Sequence, residues 1–149
     1  MKYELKLEGE SGTINLANIG KNDSIIKSAD FLIEQANMAT NDKSDQLFHT
    51  LVVKGEITDK SKKATKELLD WSMTTKQSEI YKNVTLKITQ TQTELIRDYY
   101  IKDMFCVSYR EYFDDSEGSD EKADSSKGSF ILKMRQRKGS IETIKVVCN

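Results

Sequence analysis

The 149-residue chain contains no proline. Average usage near ~5% would supply about seven. Proline has no N–H to give to a strand ladder, so its absence fits a fold of long hydrogen-bonded strands. The abundance of Lys, Ile, Asn and Asp offers a second reading, a bias in base composition. Long apolar runs are lacking too. No window approaches the ~20 apolar residues that cross a bilayer as a helix. Met1 to Leu7 alternates polar with apolar residues and holds no apolar core of signal-peptide length. The expectation is cytoplasmic synthesis with no signal peptide and no membrane partner.

Two cysteines make neither a disulfide framework nor a metal-ligand spacing. Cys106 reads as a small core residue and Cys148 as an exposed thiol. Charge of one sign is missing as well: 23 basic residues against 24 acidic leave a net −1. That excludes broad electrostatic capture of nucleic acid or anionic lipid. A hydrolytic triad needs a base held by an acid. The single histidine, His49, sits beside Phe48 at the start of a strand without an identifiable partner, and reads as structural. Seven glycines build neither phosphate-loop pattern. No nucleophile–base pair, cofactor site or metal site emerges, so an enzyme ranks last among the readings.

Periodic apolar blocks are present, which argues against disorder. Tyr3, Leu5 and Leu7 alternate with charged residues and predict a half-buried strand. Glu8 to Gly12 reads as a turn and Thr13 to Leu16 as a second strand. Ile25 to Met38 mixes two periods, and strand is favoured over helix. Phe48 to Ile57, Val84 to Thr89, Leu95 to Tyr100, Phe105 to Arg110, Phe130 to Arg135 and Ile141 to Val147 also read as strands. One helix is expected from Lys60 to Thr74, capped by Asp59 or Ser61. Its stripe is Ala64, Leu68, Trp71 and Ser72, with Trp71 the largest apolar anchor of the chain. Eight or nine strands, one helix and short connections predict a mainly β fold. It is a single domain over residues 1–149, an antiparallel two-sheet β-barrel or sandwich with one packed α-helix.

Three further features carry possible chemistry. Asp114, Asp115, Glu117, Asp120, Glu121 and Asp124 crowd one segment, but the glycine falls in the wrong place for a calcium loop. A solvated hairpin loop is the expectation there. Lys133, Arg135 and Arg137 share one strand face. No aromatics interleave on that strand face, so a solvated sheet face is expected rather than an RNA platform. Tyr99, Tyr100, Tyr109 and Tyr112 serve either as a glycan- or protein-binding surface or as ordinary packing. A small barrel around an apolar ligand is a weaker reading, because the Trp71 stripe fills the interior instead.

The order of these segments resembles the tube-forming proteins of contractile injection systems. That family includes the haemolysin-coregulated protein of type VI secretion and the major tail-tube proteins of contractile phages. The resemblance covers most of the chain. It rests on the strand pair Lys2–Leu16, the strand–loop–strand Ile25–Ile57 and the helix segment Ser61–Trp71. It continues through Tyr81–Ile88, Tyr100–Tyr109 and Phe130–Gln136, and departs in the length of the acidic loop after Phe113. It implies a structural inner-tube protein without enzymatic activity, closing into hexameric rings that stack into a tube. The partners it implies are other copies of the chain, a sheath, spike or baseplate proteins and cargo in the lumen; no nucleic acid is required. Thr40, Asn41, Asp42, Lys43, Ser44 and Asp45 match the position of the family's loop that reaches the adjacent ring. The alternative is a monomeric β-sandwich that binds a glycan or a protein.

Overall fold

The computed structural model describes residues 1–17, 25–35, 47–90, 94–115, 128–137 and 145–148. Its strands are β1 (Lys2–Gly9), β2 (Gly12–Ala17), β3 (Ile26–Gln35), β4 (Leu47–Ile57), β5 (Lys82–Thr89), β6 (Leu95–Tyr112), β7 (Gly128–Gln136) and β8 (Lys145–Val147). Two helices lie between β4 and β5: α1 (Lys62–Met73) and the short α2 (Gln77–Ile80). The strands form one antiparallel sheet in the order β2-β1-β5-β6-β7-β4-β3, with β8 added beside β6.

The 18-residue β6 organises this sheet. Its first half, from Leu95 to Met104, pairs with β5, and its second half, from Met104 to Tyr112, pairs with β7. Each half therefore belongs to a different set of strands, and the two sets share one core. Leu5, Leu7, Ile14, Leu16, Val84, Leu86 and Ile101 come from the first set. Leu51, Val53, Phe130, Leu132 and Met134 come from the second. Phe31 of β3 stacks on Tyr99 of β6 at 4.7 Å between centroids, so the far end of the second set folds back onto the first. Among the described residues β2 and β3 do not pair, and the architecture is a sandwich folded from one sheet rather than a closed barrel.

The sequence separates Leu95–Tyr100 from Phe105–Arg110, whereas the structure runs them together. The reason lies at Asp103, which takes a left-handed φ of 56°. Aspartate tolerates that region better than most residues. Asn83 Oδ1 accepts the Asp103 N–H at 3.2 Å, and the Arg137 N–H donates to the Asp103 carbonyl at 2.7 Å. The chain changes direction there while its pairing continues. Register shifts between Lys82 and Val84 and between Cys106 and Ser108 flank the bend. Such bulges increase local twist and bend a strand without ending it.

Helix α1 is held by packing rather than by its own ends. Ser61 occupies the N-cap position but makes no side-chain bond to the first turn. This corrects its expected capping role. Its hydroxyl turns backward, accepting the Thr58 N–H at 2.8 Å and donating to the Glu56 carbonyl at 2.8 Å. The buried positions of α1 are Thr65, Leu68 and Trp71. Ala64 is half-buried against the core, so the stripe is rotated by one residue toward Thr65. Trp71 Nε1 donates to the Ile80 carbonyl at 3.0 Å, which fastens α2 beneath α1. Tyr109 of β6 stacks on Phe130 and donates its hydroxyl to Glu111 at 2.8 Å.

Gly55 lies where the chain before β3 crosses β4. A Cβ there would stand 2.4 Å from the Ile25 carbonyl oxygen and 2.6 Å from the Phe130 ring. Both obstacles are buried, and one is backbone. Gly55→Ala is expected to cost at least about 1–3 kcal/mol by overpacking, read as a lower denaturation midpoint at unchanged slope. An unchanged midpoint would show that the crossing can relax.

Burial also sets an alkaline limit. It pushes the Cys106 thiol from 9.0 up to about 11. Burial, reinforced by the Glu111 carboxylate, raises the Tyr109 phenol above its usual 10.0. Above pH 9 the unfolded chain gives up protons that the folded chain keeps, so the contribution of these two groups is complete below pH 9 and is lost as pH rises through 11. Lys82 works in the opposite sense, because burial lowers its pKa and its penalty eases as pH climbs to 10.5. With two groups against one, denaturation curves are expected to shift to lower denaturant above pH 9. Cys106→Ala and Tyr109→Phe should each flatten that slope.

Candidate functional site

The residues named from the sequence as candidate chemistry do not converge. His49 is buried and donates Nδ1–H to Gln136 Oε1 at 2.9 Å. The Gln136 amide nitrogen donates in turn to the Lys102 carbonyl at 3.0 Å, which fixes the amide orientation and hence the histidine tautomer. Phe31 stacks on the imidazole at 5.9 Å. His49 therefore joins β4, β7 and β6 inside the core, and its partner is an amide rather than an acid. The sequence signal for Gln136 is that it continues the inward series Phe130, Leu132, Met134 at period two.

Cys106 packs against the core and Cys148 is exposed, its sulfur accepting from Arg97 Nη1 at 3.2 Å. Among the described residues no group of three metal-ligating side chains gathers. Asp114 and Asp115 are exposed, and the acidic residues 117–124 lie outside the described residues. The predicted ring-reaching loop, Thr40 to Asp45, also lies outside them, as does the segment 141–144.

The basic row departs from expectation. Lys133 and Arg135 share the outer face of β7 and are half-buried there, and Arg137 follows the end of the strand and is exposed. Aromatics reach that face from neighbouring segments, which a single-strand reading misses. The Arg135 guanidinium lies 5.1 Å over the Phe48 ring, and that of Arg137 lies 5.0 Å over Tyr81. Tyr81 meets Phe105 edge-on at 6.2 Å, and Phe105 is the β6 residue opposite Arg135. The arginines thus cover Phe48 and Tyr81, which are then not free for a base to stack on. Beneath this ladder, Thr50 Oγ1 and Arg135 Nε are buried without a hydrogen-bond partner, on residues paired across β4 and β7. Arginine and aromatic side chains are among the residue types enriched in protein–protein contacts.

The four tyrosines do not form one binding platform. Tyr99 and Tyr109 pack against the core, Tyr100 is half-buried, and Tyr112 is exposed beside Phe113. Exposed apolar side chains gather instead on strands at the margins. Leu32 and Ile33 of β3 are 46% and 54% exposed, and Val146 and Val147 of β8 are similarly bare. Strands β2 and β3 end the sheet, so each presents a row of backbone groups that no described strand occupies. An apolar edge strand is a template for pairing with another chain.

A pocket of about 370 Å3 opens between α1 and the β1–β2 turn. Glu67, Trp71, Glu79 and Lys82 line it, with Gly12 of the turn at a φ of 133°. Lys82 is 5% exposed and sits 6.0 Å from the Trp71 ring centroid. Its pKa is lowered by burial, against the opposing pull of Glu79 and Glu67. The sequence signal for it was available: Lys82 precedes Val84 and Leu86 at period two, on the inward face of β5.

No protein-family model matches the sequence, and neither does any curated protein. Solved structures do match the fold. One is a crystal structure of an Hcp protein, 12% identical over 100% of both chains with a TM-score of 0.60. Another is the Hcp1 protein from an E. coli EAEC pathovar, 13% identical over 99% of both chains with a TM-score of 0.57. A third is a chain of the PVC sheath–tube complex of an extracellular contractile injection system. It is 12% identical over 99% of this chain and 89% of that one, with a TM-score of 0.51. This chain shares its fold with the Hcp proteins and with that chain of a contractile injection system.

Proposed function

We propose that this chain is the inner-tube subunit of a phage-tail-like or type VI-like contractile apparatus. The observation that carries the proposal is an open sheet, in that fold, ending in an edge strand with exposed Leu32 and Ile33. In a ring, one edge of each copy meets a different edge of its neighbour, and a closing rotation leaves no edge free. Six copies per ring is the number proposed. Thr40 to Asp45 would span to the next ring and make rings into a tube. The Phe48–Arg135–Phe105 ladder, with two buried polar atoms awaiting partners, suits a contact surface of the assembly. A sheath would surround the tube, a spike or baseplate would start it, and cargo would ride in the lumen. The tube would assemble in the cytoplasm before ejection. The role is mechanical and calls for no catalytic step.

Electron microscopy of the purified chain at high concentration is expected to show rings about six-fold symmetric, with short stacks. Strictly monomeric particles would defeat the proposal. Leu32→Glu with Ile33→Lys should abolish rings while changing protomer stability by no more than about 0.5 kcal/mol per site, as exposed positions do. Replacing residues 40–45 with a Gly-Ser segment of equal length should leave rings but no stacks. Stacks that survive this replacement would remove the loop from the inter-ring contact.

A further inference from the structure

The pocket between α1 and the β1–β2 turn holds a feature that tube assembly does not explain. A lysine is seldom buried without a partner. Lys82 is 95% buried, taking its 5% exposure from the whole. Among the described residues no carboxylate comes within ion-pair distance of its ammonium. Its pairing with Met104 of β6 sets its inward position at the start of β5, from which the side chain lines the pocket. The β1 backbone passes close beside it, since a Cβ on Gly9 would lie 2.9 Å from the Lys82 nitrogen. Trp71 supplies an apolar wall, and the pocket of about 370 Å3 admits a small molecule.

A desolvated amine beside an aromatic wall is how proteins make lysine nucleophilic. We propose that Lys82 is a site of covalent acylation by small acyl phosphates entering this pocket. In the step, the lone pair of the neutral amine forms a C–N bond to the acyl carbon. The bond from that carbon to the phosphate oxygen breaks, and phosphate leaves with the electron pair. The amine proton passes to water; burial of the amine favours its departure, and outweighs the opposing pull of the Glu79 and Glu67 carboxylates. The product is a neutral amide, and the pocket keeps its carboxylates while losing its ammonium. The inference stands apart from the tube proposal, since it concerns the protomer alone.

The test is limited labelling of the full chain with acetyl phosphate at near-neutral pH, read by peptide mass spectrometry. Exposed Lys63 of α1 is the internal reference. Lys82 is expected to react roughly three- to tenfold faster than Lys63 in the folded chain. Its rate should also begin to fall at a lower pH on acidification than is needed to slow Lys63. In strong urea, where the pocket is gone, the two rates should converge. Ser11→Trp, which narrows the mouth from the exposed turn, should slow Lys82 and leave Lys63 unchanged. Equal rates in the folded chain, or a preference that persists in urea, would overturn the assignment.

Discussion

Everything in this fold depends on one strand serving two sets of partners. β6 is long enough to pair with β5 over its first half and β7 over its second. A flat strand of that length would spread the sheet and leave both faces wet. The bend at Asp103, flanked by bulges, turns one sheet back on itself so that its two halves bury each other. The core residues of β1, β2 and β5 then meet those of β4 and β7. A left-handed aspartate is a mild strain, offset here by hydrogen bonds to both its N–H and its carbonyl. Helix α1 closes one side of this arrangement without good caps of its own, since Leu68, Trp71 and the Tyr109 contact hold it from outside.

Local alternation was enough to locate most strands. Lys2 to Gly9 and Gly128 to Gln136 carry clean period-two patterns, because one face is more buried than the other, whereas Leu47 to Ile57 alternates only from Leu51 onward, since His49 and Thr50 are both buried. Ile26 to Gln35 was ambiguous for a physical reason. It is an edge strand with a bulge after Ile26, and Leu32 and Ile33 are both exposed, so burial imposes no alternation there. The continuity of β6 was illegible because the polar run Lys102-Asp103 looks like a turn, and in a sense it is one. The helix stripe was read one residue off, since Thr65 is polar yet buried, its hydroxyl donating back to the Ser61 carbonyl at 2.9 Å.

The candidate surfaces were less legible than the fold, because they are made between strands. Arg135 finds Phe48 through the β4–β7 pairing and Phe105 through the β6–β7 pairing, and no window along the chain contains all three. A pattern read along β7 sees only alternating basic residues and infers a solvated face. The same limit hid the His49–Gln136 bond, which spans 87 positions. Residues on one strand face are readable at period two, but their cross-strand neighbours follow from register, which long-range packing decides.

The absence of proline can now be weighed against the topology. Interior strands β1, β5, β6, β7 and β4 use both of their edges, so proline there would remove a ladder bond. Edge strands are where proline is normally tolerated, and where it serves to block unwanted pairing. Here β2 and β3 lack it too, and β3 adds exposed Leu32 and Ile33. A protein that must remain alone gains by blunting such an edge with proline, inward charge or a covering loop. A protein that completes its sheet with neighbours must leave the edge open and accept the risk of mispairing. An edge that no described strand covers is what the proposed assembly requires, and the low apolar fraction of 37% fits the same proposal, in which part of the burial that stabilises the protomer would come from other copies.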